Sequence, residues 1–432
     1  MKLVLPLVFC VASLLGQAQS LYFPPLVTDN WDTISPASLG WCEENVDEFY
    51  DYLDDSNTKA FILLKDGKIV LEKYFGTFSQ DSIWYWASAG KTLTAFTVGM
   101  AQEEGFLSIS DTTSDYLGNG WTACTPSQEE KITIRHQLTM TSGMNDLVSN
   151  PDCTLPSCLQ YVSDAGTRWS YHNAPYTLLR EVVESATNLA LNAYVNTRIK
   201  QPTGMDGLYL MVGDNNLYLS TARSMARFGL LIQNNGNWDG NQIMTDQNYF
   251  NEMITPSQAL NQSYGYLWWL NGQPSFMVPT LQTVFPYSLL PNAPADIVAA
   301  LGKNGQMINV SNNEGLVMVR MGNAPDTNFV PFLFNDSIWI KLNNVICNGT
   351  NSVSKLSNPE FTLYPNPTEK IFTISSPFLI RKLKIVNLYG EIVLNQSHSS
   401  HDINIESDLP QGIYLVTIFG DNNSSTQKLV IN

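Results

Sequence analysis

The sequence predicts an α/β protein, with an antiparallel sheet flanked by helices, a separate helical lobe, and a small all-β domain behind them. Three observations carry that expectation. Strand patterns lie near both ends of residues 21–347, with helical patterns between them. The two sets of strands must meet in one antiparallel sheet if both are to bury their apolar faces. A polar Gly/Ser-rich linker over 348–358 then precedes short alternating strands over 359–432, which read as a β-sandwich.

Met1 and Lys2 precede an apolar stretch, residues 3–15, that is too short to span a bilayer, and Gly16-Gln17-Ala18 supplies small residues for cleavage. Residues 1–18 therefore read as a signal peptide, and no transmembrane segment is expected after its removal. Leu39, Trp41, Val46, Phe49, Tyr50 and Leu53 alternate with acidic residues at helical spacing. A hairpin follows, with strands at 60–64 and 69–75 around Lys65-Asp66-Gly67. The run 92–100 is too apolar and too rich in small residues for a surface helix, which predicts a buried central one. From 112 to 166 turn-forming residues dominate, with a helix start near Ile134, and helical patterns return at 173–199, 220–234 and 244–255. These segments read as an all-helical insert. Strands resume at 265–270, 297–301, 307–310 and 316–321, and a helix over 335–344 closes the domain. The tail carries seven short strand patterns, at 361–364, 371–374, 383–386, 392–394, 403–405, 413–418 and 427–431.

A net charge of -16 opposes nucleic acid and anionic membranes as partners. Without Cys10 the exported chain keeps Cys42, Cys124, Cys153, Cys158 and Cys347, an odd number in an oxidising compartment. Their pairing is not readable, although Cys153 with Cys158 would close a small loop and Cys42 with Cys347 would join the domain ends. The spacings fit no zinc site, and only His136 and His172 precede the tail, so neither metal nor organic cofactor is expected.

Chemistry concentrates in three places. Ser88 and Lys91 stand one helical turn apart on one face. A buried lysine loses charge, and a neutral amine beside a serine can take its proton. The same spacing recurs at 56–59, 352–355 and 425–428, so the buried helix behind Ser88 is what singles it out. Tyr171 and Asn173 would point the same way from an extended turn, and a tyrosine beside an ammonium ionises more readily. In Gly302-Lys303-Asn304-Gly305-Gln306 the glycines would let a substrate approach the backbone.

With Ile132-Thr133-Ile134 through Thr141-Ser142-Gly143, Pro202-Thr203-Gly204-Met205 and Ser220 through Gly229, these segments form an ordered set. Over roughly residues 30–347 the chain resembles the serine β-lactamase-like hydrolases, in the branch of class C β-lactamases, penicillin-binding proteins, esterases and 6-aminohexanoate-dimer hydrolases. The resemblance implies a β-lactamase/transpeptidase-like fold. It implies Ser88 as nucleophile, Lys91 and Tyr171 sharing proton transfer, and Asn173 positioning substrate or Lys91. Lys303 matches the first position of the family's Lys-Thr-Gly element, and the amides of Ser88 and Gln306 would form an oxyanion hole. Asn304 departs from the usual Thr or Ser, which argues against a β-lactam substrate. Trp84, Trp86, Trp268 and Trp269 are candidate apolar walls, and His172 is expected to line or support the site. No Gly-x-Ser-x-Gly occurs, which disfavours an α/β-hydrolase.

The tail segments at 361–368, 388–393, 409–416 and 426–431 resemble the C-terminal sorting domain of proteins exported by the type IX system of Bacteroidetes. That resemblance implies the secretion machinery as a partner. A carbohydrate-binding module is the alternative, but no aromatic platform is evident. The expected protein is a secreted or surface serine hydrolase cleaving a small-molecule ester or amide through an acyl-enzyme on Ser88. The alternatives are a non-catalytic penicillin-binding-like sensor or binding protein, and a true β-lactamase.

Overall fold

The computed structural model describes residues 21–28, 30–325, 330–347, 361–387, 391–421 and 424–431. The signal peptide, the 348–358 linker and Leu388-Tyr389-Gly390 of the tail lie outside them. The chain divides into two compact units, one ending at Cys347 and the other beginning at Asn348.

In the first unit, helix α1 (Val46–Asp55) buries Phe49 and Leu53. Strands β1 (Thr58–Lys65) and β2 (Lys68–Tyr74) form the expected hairpin. Its turn is closed by Asp66 at φ 50° and Gly67 at φ 83°, the left-handed geometry that tight hairpins require. After β3 (Trp84–Tyr85) and a single 3-10 turn, Ala87–Ala89, comes α2 (Gly90–Glu103), buried from Gly90 to Ala101. Its small residues are explained by close packing: a Cβ on Gly99 would lie 2.2 Å from the ring of Tyr249.

The insert is not all helical. Beyond α3 (Leu179–Thr187), strands β4 (Leu208–Val212) and β5 (Asn215–Ser220) form a hairpin, and β3 pairs with β5 to complete a three-stranded sheet. The 173–199 pattern also breaks into separate helices, because Asn188 at φ 55° ends α3 in the left-handed conformation. The hairpin escaped the helical reading because its strands are short and each carries apolar residues on consecutive positions.

Helix α4 (Ala222–Gln233) precedes β6 (Trp269–Leu270), β7 (Val298–Gly302), β8 (Gln306–Ser311), β9 (Leu316–Gly322) and α5 (Phe332–Ile346). The strand expected over 265–270 shrinks to two residues because Leu267 takes φ 61°, which no strand tolerates. The six-stranded sheet runs β2-β1-β9-β8-β7-β6 and is antiparallel throughout. The pairing of β1 with β9, Ile62 opposite Val319, joins the two ends of the unit as the burial argument predicts. Helix α4 presses on this sheet at Gly229, where a Cβ would come within 2.4 Å of Val317 Cγ1. Cys42 and Cys347 are bridged across 305 residues, and Cys153 is bridged to Cys158. Cys124 is free.

Among its described residues the second unit has five strands rather than seven: β10 (Thr362–Tyr364), β11 (Ile371–Asn387), β12 (Ile392–Glu406), β13 (Gly412–Phe419) and β14 (Ser424–Ile431). Two pairs of expected strands merge into the long β11 and β12. The register between them shifts around Ser375 to Lys382, and on its other edge β11 pairs with β10 at one end and with β13 at the other. Phe372, Ile374, Leu383, Ile385, Val416 and Leu429 share one core.

Candidate active site

Ser88 lies in the 3-10 turn that leads into α2, and the residue before it, Ala87, is held at φ 47°. A β-carbon in the left-handed region is strained, and such strain persists only where the surroundings over-determine it. Here the indole Nε1 of Trp86 donates to Ser220 Oγ at 2.7 Å, and the Trp86 amide donates to the Tyr218 carbonyl at 2.8 Å. Strand β7 closes the other side. A Cβ on Gly302 would lie 2.4 Å from the Trp86 carbonyl oxygen and 3.1 Å from the Ser88 nitrogen. Gly302 is therefore needed for packing against the serine's own turn.

One helical turn on, Lys91 is 4% exposed and its Nζ donates to Ser88 Oγ at 2.9 Å. Burial lowers its pKa to about 7, opposed in part by the charge of Asp152. The amine lies 4.3 Å from the ring centre of Tyr176 and 5.1 Å from that of Tyr171. No carboxylate forms an ion pair with it among the described residues.

Tyr171 stacks on Trp269, with ring centres 5.8 Å apart, and contacts Trp169 and Tyr264. Burial pushes its phenol far above the ordinary range, while the Ser88 hydroxyl beside it pulls the other way. Burial thus works against the ionisation expected of Tyr171 beside an ammonium, and the same burial favours the neutral amine of Lys91.

Asn173 opens the short helix Asn173–Thr177, and its Nδ2 donates to Asp152 Oδ1 at 2.7 Å. The other carboxylate oxygen accepts from Asn215 Nδ2 at 3.0 Å. The Asn173 carbonyl oxygen is buried without a partner. His172 is 2% exposed, and neither ring nitrogen completes a hydrogen bond. Burial lowers its pKa to about 4, although Asp146, Asp152 and the nearby Pro151 carbonyl favour the charged ring. The ring is therefore neutral at ordinary pH.

At the β7–β8 turn Lys303 is exposed, and Asn304 and Gly305 take φ 63° and 75°. Asn304 Nδ2 donates to Tyr85 OH at 2.7 Å, which ties this turn to the strand leading to Ser88. Arg320 braces it from behind, donating to the carbonyls of Asn304 at 2.9 Å and Gly305 at 3.0 Å. Its burial pushes the guanidinium down to about 9. The side chain of Gln306 is fully buried and exchanges hydrogen bonds with the Gly322 backbone, leaving only its main chain for an oxyanion hole. Gln306 pairs with Gly302, which packs on the Ser88 turn.

Trp86 and Trp268 are completely buried core residues rather than walls of an open site. Trp269 is equally buried but stacks on Tyr171, and Trp84 is partly buried, with its ring 4.7 Å from Lys59 Nζ. Sequence reasoning missed Asp152, Tyr85, Tyr176 and Arg320. Of these only Asp152 left a signal, its place beside Cys153 in a disulfide-closed loop.

Residues 53–338 match the family model described as Beta-lactamase. The chain belongs to the beta-lactamase family. Residues 362–432 of this beta-lactamase-family protein match the secretion system C-terminal sorting domain, which marks it for type IX secretion to the cell surface or beyond. It is 25% identical over 270 residues to an uncharacterized protein of Alkalihalophilus pseudofirmus, covering 54% of this chain and 76% of that one. Its fold is similar to that of a candidate 6-aminohexanoate-dimer hydrolase from Bacillus anthracis, at TM-score 0.54 and 19% identity over 68% of this chain and 80% of that one. It is also similar to a family VIII carboxylesterase, at TM-score 0.54 and 14% identity over 72% and 99% of the two chains. No described helix is long and apolar enough to cross a membrane.

Proposed function

We propose that this protein is a secreted serine hydrolase that cleaves a small ester or amide through an acyl-enzyme on Ser88. The observation that carries the reading is the contact of 2.9 Å between Ser88 Oγ and the Lys91 amine, which burial holds near neutrality at about pH 7. A general base works best when its pKa lies near the working pH.

Ser88 Oγ attacks the substrate carbonyl carbon while its proton passes to Lys91 Nζ. The carbonyl oxygen gains negative charge, which the main-chain amides of Ser88 and Gln306 are disposed to receive. The resulting ammonium, or the Tyr171 phenol acting as a relay, returns a proton to the departing alcohol or amine. Water then attacks the acyl-enzyme by the same route in reverse, with its proton going to Lys91. Tyr171 enters as a proton donor because its phenol stays protonated at neutral pH. Ester and amide substrates are favoured over β-lactams because the Asn304 amide is engaged by Tyr85 and supplies no hydroxyl.

The test is labelling of purified protein with a fluorophosphonate probe, with p-nitrophenyl esters, amino-acid amides, linear amide oligomers and nitrocefin compared as substrates. Labelling and ester or amide turnover in the wild type, both lost in Ser88→Ala, support the reading. Equal labelling and turnover of Ser88→Ala would refute it.

A further inference from the structure

We propose that Asp152 is a positioning residue for this site: its two carboxylate oxygens hold the Asn173 and Asn215 amides and thereby fix which end of Asn173 faces away into the buried interior. The inference rests on the Ser88 hydrolase reading and adds to it a residue outside the nucleophile, base and oxyanion groups.

The geometry is restrictive. Asp152 Oδ1 accepts from Asn173 at 2.7 Å and Oδ2 from Asn215 at 3.0 Å. A carboxylate is acceptor only, so both amides must turn their NH2 groups toward it. The Asn173 carbonyl oxygen is thereby directed away, and it is left buried with no partner. An orphaned buried acceptor costs stability, so such a group persists where a donor appears during function or where the surroundings force it.

The reaction supplies a donor. When Lys91 takes the Ser88 proton, an amine becomes an ammonium with one N–H more than before. The same carboxylate also favours the charged form of Lys91. The other groups facing this lysine are the Ser88 hydroxyl and the rings of Tyr171 and Tyr176, and none is anionic at neutral pH. Asp152 is thus the negative group that favours the charged lysine, and the same carboxylate orients the unsatisfied side-chain carbonyl of Asn173, two residues from Tyr171.

Asp152 is itself held in place. Its amide accepts restraint from Asn150, donating to Oδ1 at 3.2 Å, and the Pro151 carbonyl accepts from the Ala174 amide at 3.2 Å. Cys153, the next residue, is bridged to Cys158. The loop therefore docks on the Tyr171-Asn173 segment from one side, while Asn215 at the start of β5 meets it from the other.

The experiment uses the mature full-length protein and a p-nitrophenyl ester, with kcat and KM measured against pH for wild type, Asp152→Asn, Asp152→Glu and Ser88→Ala. Asp152→Asn is expected to lower kcat by about tenfold or more, with KM within about twofold, since misorientation near the reacting atoms acts on the chemical step. Its rising pH limb should move to lower pH, because the charge that raises the Lys91 pKa has gone. Asp152→Glu should keep the wild-type limb and recover part of kcat. Circular dichroism reports folding, and if Asp152→Asn does not fold, Asp152→Glu decides alone: a limb in place with kcat reduced supports the proposal, and wild-type kcat overturns it. Folded Asp152→Asn with wild-type kcat and limb also overturns it. Turnover that survives in Ser88→Ala would instead refute the hydrolase reading itself.

Discussion

The two units treat charge in opposite ways. In the C-terminal unit Lys370 pairs with Asp408 at 2.8 Å and Arg381 with Asp421 at 2.9 Å, all four side chains largely in water. In the beta-lactamase-family unit Arg168 pairs with Asp146 at 2.6 Å inside the protein, and each partner leaves one polar atom without a hydrogen bond. Every buried side-chain polar atom without a partner, among the described residues, falls in the beta-lactamase-family unit. Asp146, Arg168, His172 and Asn173 are among them, in or beside the segment that carries Tyr171. A sorting domain has to fold and be recognised, whereas on the proposed reading the first unit keeps polar groups dry and unsatisfied until substrate arrives.

The comparison is broken most directly at the nucleophile. Ser88→Ala is expected to lower ester turnover by at least about 10³-fold, measured by steady-state kinetics, while the melting midpoint barely moves. Lys91→Met should be nearly as inactive yet melt higher than the wild type. The sign follows from linkage: the folded pKa, about 7, lies below the ordinary lysine value of 10.5, so burial of Lys91 costs stability below pH 10.5, most fully below pH 7. Removing the amine removes that cost, and scanning calorimetry at pH 6 checks it.

Asp146→Ala should destabilise the first unit by about 1–3 kcal/mol in chemical denaturation, because it strands the largely enclosed Arg168 charge. Asp421→Ala in the tail should leave the melting midpoint unchanged, since exposed pairs contribute little. A wild-type rate that rises with pH to a midpoint near 7 would identify Lys91 as the titrating base; a flat profile across that range would exclude it. The smallest effect is expected from ending the chain after Cys347, which should leave ester kcat within about twofold of the full-length value if the units are independent.

Much of the architecture was legible because burial imposes periodicity. The apolar run after Ser88 announced a buried helix, and β1, β8 and β9 announced a shared sheet, since each is buried on nearly every residue. The β4–β5 hairpin was not legible, because Leu208, Leu210, Met211 and Val212 are exposed and their spacing mimics neither period. The tryptophans misled for a related reason: composition says that Trp86 and Trp268 bury large rings, but not whether the ring meets substrate or core. Tyr85 and Arg320 were invisible because each acts across a long sequence separation, on Asn304 and Thr58 respectively, and Asp152 showed only its place beside Cys153, not its bond to Asn215.

By itself the sequence determined the family, the export signal in the tail and the pairing of a serine with a lysine one turn on, because these depend on local spacing and ordered motifs. The tertiary structure set the direction in which these groups titrate. Whether Lys91 is an amine and Tyr171 a phenol depends on how completely each is removed from water and on which carboxylates and hydroxyls remain nearby. Those neighbours come from distant parts of the chain, so desolvation at Ser88 is a property of the fold rather than of any stretch of residues.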